Sequence, residues 1–134
     1  IGDGKAKLEI PVTGGRSVVH VGEAGIYVML TQNSYIIQFS IRTYYNKSDR
    51  ICGATSPDQD DFAEFYYHNG TDWVKVTCYN EPSEVTKQYA YTAAGIKFRV
   101  KRYYADHQVV MWIDNVIVRK FTDPEPSISY QKLS

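Results

Sequence analysis

Residues 95–126 read GIKFRVKRYYADHQVVMWIDNVIVRKFTDPEP, and the alternation within them leaves little choice of local structure. Apolar Ile96, Phe98 and Val100 take turns with charged Lys97, Arg99 and Lys101. That period of two fits a strand with one buried and one wet face, and no helical period fits the segment. Ala105-Asp106 predicts a turn. Residues 107–121 return as a second strand, rich in β-branched and aromatic side chains. Polar Asp114-Asn115 interrupts it, and a bulge or a further turn is expected there. Pro124 and Pro126 cannot donate to a ladder, so the strand must end before them. Such strands bury a face only against other strands, which the rest of the chain has to supply.

The remaining sequence is punctuated in the same way. Residues 5–12 alternate weakly and close on Thr13-Gly14-Gly15. Residues 17–21 and 25–30 read as short strands around Gly22-Glu23-Ala24-Gly25. Residues 35–45 form the longest early strand, with Ile37, Phe39 and Ile41 on one face and Gln38, Ser40 and Arg42 on the other. A turn at 46–49 precedes a short strand through Arg50-Ile51-Cys52, and residues 56–61 (SPDQDD) are the most polar loop. Residues 62–67 and 73–79 make a hairpin around His68-Asn69-Gly70-Thr71, since Asn-Gly is a strong turn signal. In that hairpin Val74, Val76 and Cys78 are expected inside, and Trp73, Lys75, Thr77 and Tyr79 outside. Residues 84–91 give a further strand before Ala93-Ala94-Gly95 turns the chain. About ten short strands at a spacing of roughly 8–12 residues predict an all-β, antiparallel sandwich or barrel. Residues 1–134 are read as a single β-sandwich domain.

Charge excludes some functions. The chain has 15 basic and 15 acidic residues, so no electrostatic nucleic-acid partner is expected. It has no apolar run of about 18 residues, so direct membrane insertion is not expected. It opens at Ile1 without a Met, and we read it as a mature or excised piece of a longer precursor. The informative excess is tyrosine, with 12 residues, because Tyr suits both strands and wet binding faces. Cys52 and Cys78 are the two cysteines, which fit either one disulfide in a secreted protein or two buried thiols. Asn46-Lys47-Ser48 and Asn69-Gly70-Thr71 have the form of N-glycosylation acceptors in turns, which points to an extracellular or cell-surface location.

Residues 109–121 (VVMWIDNVIVRKF), followed by DPEPSIS at 123–129, resemble the closing segment of an uncharacterised concanavalin-A-like domain. That domain occurs in secreted and surface proteins of archaea and bacteria and is akin to laminin-G and legume-lectin domains. The shared pattern runs from aromatic Trp112 through Asp114, Val116 and Val118 to Arg119-Lys120, and then into Pro124-Glu125-Pro126. The resemblance implies an antiparallel two-sheet jelly-roll sandwich. It also implies glycan binding or surface architecture as the function, a choice that fold alone does not make.

Catalytic constellations are scarce. Gln59-Asp60-Asp61-Phe62-Ala63-Glu64 resembles the Glu-x-Asp-x-x-Glu strand of laminarinase-type glycoside hydrolases, whose retaining chemistry needs two carboxyl groups about 5–5.5 Å apart. Here Gln59 holds the nucleophile position and cannot form the covalent intermediate, so the chain is read as non-catalytic. His20, His68 and His107 lack zinc spacing. Asp58, Asp60 and Asp61 put three carboxylates in one loop, a candidate calcium site that the sandwich resemblance makes more plausible, although a solvated acidic loop is the commoner outcome. No other cofactor is expected.

Outward aromatics are the main functional clue. Sugar rings present apolar C–H faces that stack on Tyr and Trp, and their hydroxyls bond to adjacent polar groups. Alternation puts Arg42 with Tyr44 on one outward stripe, Glu64 with Tyr66 on another and Trp73 with Lys75 on a third. Arg99, Lys101 and Tyr103 line the adjacent strand. The doubled tyrosines 44–45, 66–67 and 103–104 let one ring pack inside while its neighbour stays exposed, and the plain alternative is that all these rings seal the sandwich. Trp112, between Met111 and Ile113, is expected mostly in the core. The candidate carbohydrate contacts are therefore Arg42, Tyr44, Glu64, Tyr66, Trp73, Arg99 and Tyr103. The leading expectation is an extracellular module that binds a polysaccharide or glycan. The alternative is a structural subunit of a surface layer or filament, whose edges, such as residues 5–12, pair with other copies.

Overall fold

The computed structural model describes residues 6–15, 18–47 and 62–121. Six strands account for most of them: β1 (Ala6–Ile10), β2 (Val19–Tyr45), β3 (Ala63–His68), β4 (Trp73–Tyr79), β5 (Val85–Tyr104) and β6 (Val109–Lys120). None of the described residues is helical. All pairings are antiparallel and join one continuous sheet in the order β1-β6-β2-β5-β3-β4. The all-β expectation holds. Hydrogen bonds join the six strands into a single ladder system, because β2 and β5 run through the whole structure.

A straight strand of 27 residues would span roughly 90 Å, against a radius of gyration of about 14 Å for a chain this size. So β2 has to bend. Its ladder with β5 shifts register between Met29 and Asn33, and its ladder with β6 shifts between Gln38 and Ser40. Beyond the first shift β2 keeps β5 as a neighbour and gains β6. Among the described residues, 19–29 pair with β5 alone, whereas 35–41 lie between β5 and β6. The sheet also curls over, as ring contacts show. Phe39 of β2 lies 4.9 Å from Phe65 of β3, although β5 separates these strands in the sheet. Their partners on β5 are Lys87 and Phe98, so in a flat sheet the two rings would stand more than about 30 Å apart.

The core follows from that curl. Ile37, Phe39 and Ile41 are fully buried, as their alternation requires. They meet Phe65, Ile96, Phe98, Val100, Val109, Met111 and Ile113 in one cluster. Phe39 sits at its centre, with Phe98 at 4.9 Å and Tyr79 at 6.2 Å, both edge-on.

Several predicted breaks are absent. From Val19 onward the strands expected at 17–21, 25–30 and 35–45 are one strand, and Ala93-Ala94-Gly95 lies inside β5 rather than in a turn. The glycines serve close approach instead of reversal: a Cβ on Gly25 would sit 3.0 Å from the Phe98 carbonyl oxygen, and one on Gly95 equally close to that of Val28. Tyr79 is not outside. A bulge at Val76, where Phe65 pairs with Thr77 but Tyr66 with Lys75, switches faces and sends Tyr79 into the core at 3% exposure. Trp112 is half-buried on the face opposite Met111 and Ile113. The Asn69-Gly70 turn (φ of Gly70 101°), the Ala105-Asp106 turn and the irregularity at Asn115 (φ 55°) stand where the sequence predicts them. The predicted strand at residues 50–52 lies outside the described residues.

Phe39→Ala should cost about 3–5 kcal/mol, because it opens a cavity that four neighbouring rings cannot collapse into. Denaturant unfolding would check this, and a loss below about 1 kcal/mol would place the core elsewhere.

Candidate functional site

The first half of β2, the second half of β5, β3 and β4 share an outer face whose side chains are set by register. Gly25, Arg99, Glu64 and Cys78 form one cross-strand row, Tyr27, Lys97, Tyr66 and Lys75 the next, and Met29, Gly95, His68 and Trp73 a third. In the last row Gly95 is necessary. A Cβ there would meet Trp73 at 3.2 Å and the Met29 sulfur at 3.1 Å, so the bare backbone lets the indole lie across β5.

Glu64 holds the upper row together. It is 1% exposed and ion-pairs Arg99, with Nη2 at 2.7 Å and Nε at 2.9 Å from Oε1. The Tyr66 hydroxyl donates to the same oxygen at 2.8 Å, and Lys75 Nζ lies 3.3 Å from the other. Arg99 also donates to the Tyr66 hydroxyl and reaches Glu23 at 3.4 Å. Burial works against the Arg99 cation, but the hydrogen bond and charge of Glu64 outweigh it and hold the guanidinium above its ordinary range.

Below this network lies an aromatic cluster. Tyr27 is 68% exposed and meets Trp73 edge-on at 5.8 Å, and His68 meets the same indole at 5.0 Å. Lys97 Nζ sits between rings, 4.5 Å from the centre of Tyr66 and 4.8 Å from that of Trp73. Desolvation, then the Arg99 charge, lowers its pKa from the ordinary lysine range. The arrangement offers an exposed ring, a half-buried indole and a cation, with Lys75 and Glu23 exposed at the sides.

Of the seven predicted contacts, Glu64, Tyr66, Trp73 and Arg99 come together here. Glu64 and Tyr66, at 1% and 8% exposure, are too buried to offer the outward surface expected of them, and they position their neighbours instead. Arg42 and Tyr44 belong to a separate face. There the Arg42 guanidinium stacks 3.8 Å from the Trp112 ring centre, and Tyr44 borders a shallow cavity of about 270 Å³ with Thr43, Tyr45, Lys47, Asn80 and Pro82. Tyr103 packs edge-on against Tyr104 at 4.8 Å. One ring in and one ring out describes Tyr44-Tyr45, whereas Tyr67 stacks on Tyr91 at 4.1 Å and both Tyr103 and Tyr104 are half-buried. Tyr27 and Lys97 were not among the predicted contacts. Only the cross-strand register with β3 and β4 gives them their role.

Cys78 is disulfide-bonded. Cys52, Asp58, Asp60 and Asp61 lie outside the described residues, so the calcium expectation is not addressed. Among the described residues no three His, Cys, Asp or Glu side chains gather in a way that could hold a metal. Asn46 spends its amide on the Ala105-Asp106 turn, donating to the Asp106 carbonyl at 2.9 Å and accepting from the Gln108 amide at 2.8 Å. In the Asn69 turn it is the side-chain carbonyl oxygen that is used, accepting from the amides of Thr71 and Asp72, both at 2.8 Å.

No family model matches the sequence, and no curated protein does. Among solved structures, one described as "CBM4 structure and function" aligns over 86% of this chain and 82% of its own, at 13% identity and a TM-score of 0.47. A likeness of that size carries no argument about function.

Glu64→Leu should lower stability by about 3 kcal/mol by stranding the Arg99 cation, and adding Arg99→Met should recover part of the loss. A double-mutant unfolding cycle with additive losses would contradict the pairing. Lys97 should titrate below the ordinary lysine range by NMR. Because the unfolded chain binds that proton more tightly, stability should rise with pH between the folded and unfolded pKa values of Lys97, and Lys97→Met should flatten that rise.

Proposed function

We propose that this chain is a non-catalytic carbohydrate-binding module that uses the Tyr27–Trp73–Lys97 face. The observation that carries the reading is Tyr27, a ring left 68% exposed on a strand and braced from the side by Trp73. An exposed, laterally supported ring suits the apolar face of a sugar, while Lys97, Lys75 and Glu23 are placed to bond hydroxyls. Both oxygens of Glu64 are engaged by donors, which supports binding rather than acid–base chemistry. Within this reading the curled sheet is a sandwich of the concanavalin-A-like, jelly-roll kind. A Cys52–Cys78 disulfide and glycosylation at Asn69, whose side-chain N–H groups are not used by the turn, fit an extracellular or cell-surface location.

A glycan array with the wild-type chain, followed by affinity electrophoresis on the best polysaccharide, tests the proposal. Tyr27→Ala and Trp73→Ala should each weaken retention by about tenfold, and Tyr44→Ala should leave it unchanged. Silence across the array, or retention that depends on Tyr44 instead, would overturn the assignment of this face.

A further inference from the structure

Among the described residues, half of the twelve large apolar side chains that are exposed gather along one side of the molecule. Ile26, Tyr27, Val28 and Met29 are consecutive on β2 and between 43% and 68% exposed. Val116 and Ile117, across the opening at the irregular part of β6, are 43% and 50% exposed. Between them Ile26, Val28, Ile96, Phe98 and Val116 line an open apolar cavity of about 170 Å³. Phe98 and Ile96, which form its floor, belong to the core cluster and are themselves buried, so the exposed apolar surface here is that of Ile26, Val28 and Val116.

The same stretch is an edge. Among the described residues, β2 from Glu23 to Met29 pairs on one side only, with β5. Nearer its start the strand is occupied, since Arg102 donates to the His20 carbonyl at 3.0 Å and ties it to Pro11 and Thr13. From Glu23 to Leu30 no Lys or Pro interrupts the edge, although these residues commonly block pairing. One charge stands on it, Glu23, and Arg99 of the same chain meets that carboxylate. An edge of this kind offers backbone donors and acceptors plus apolar side chains. An extended strand of matching character satisfies both, and a partner selected by charge has nothing to read.

We propose that this edge pairs with the same edge of a second copy, making a closed two-fold dimer. Antiparallel self-pairing keeps outward side chains outward, because partners then share parity. A register centred on Ile26 sets Glu23 opposite Met29, Ala24 opposite Val28 and Gly25 opposite Tyr27, so no like charges meet. The inward-facing Ile26 and Val28 of each copy are then covered along the apolar cavity beside them. The two outer faces become continuous across the axis, with the Tyr27 rings side by side. β1 is also an edge, since it pairs with β6 alone among the described residues, but it carries the charged Lys7 and Glu9, whereas β2 carries no charge from Ala24 to Leu30.

Sedimentation of the full chain across concentration, with amide exchange on the same samples, tests this. A discrete dimer is expected at about 100 µM and monomer below about 1 µM, with slowed exchange at residues 24–30 in the dimer alone. Val28→Lys should weaken association by at least about tenfold at unchanged monomer melting. Ile26→Lys, at a position 43% exposed and on the two-fold axis, serves as a second variant should the first fold poorly, because it sets two like charges opposite one another. A chain that stays monomeric at about 100 µM, open-ended polymers, protection elsewhere, or a dimer indifferent to both lysines would each overturn the proposal.

Discussion

Everything in this structure depends on the long antiparallel ladder between β2 and β5. It joins residues 19–41 to 85–104, and its single large register shift falls near the middle, between Met29 and Asn33. A ladder fixes which side chains share a face, because a slip by one residue would exchange every inward group for an outward one. Here it sends Ile37, Phe39, Phe98 and Val100 inward. It leaves Tyr27 beside Lys97 and Gly25 beside Arg99 on the other surface. Core and candidate site are therefore two sides of one set of pairings. These pairings join residues far apart in sequence, so their loop-closure entropy is met before contacts reward it, and slow folding is expected.

The ion pair of Glu64 and Arg99 has a different place in the energetics. Removing a carboxylate from water costs several kcal/mol, and the Arg99, Tyr66 and Lys75 bonds offset that cost more than they add net stability. What the network supplies is position. Glu64 orients Tyr66, the Tyr66 ring lies under Lys97, and Lys97 reaches Trp73. A buried residue thereby shapes a surface it does not form. That accounts for the mixture of buried and exposed residues among those alternation had placed together on one outward face.

Much of this was legible in the sequence, because alternation, Asn69-Gly70, Ala105-Asp106 and the polar break before Val116 each have a local cause. What was not legible depends on distant neighbours. Gly22, Gly25 and Gly95 look like turn residues, but whether a glycine reverses the chain or admits another backbone depends on what lies across the ladder. The bulge at Val76 leaves no mark in its own sequence, so Thr77, Cys78 and Tyr79 were assigned to the wrong sides. Trp112 looks apolar beside Met111 and Ile113, although the ladder that sets Arg42 and Lys7 opposite turns it outward. Tyr27 gains its importance only when Trp73, 46 positions later, is brought beside it.

Face assignment is thus the central claim, and aromatic nuclear Overhauser contacts in solution read it most directly. The account predicts contacts from the Phe39 ring to Phe65 and Phe98, and from the Tyr27 ring to Trp73, with none between the two groups. Contacts between Tyr27 and Phe39, or a Phe39 ring that never reaches Phe65, would show that the β2–β5 register is wrong and that the core and the outer face have been exchanged.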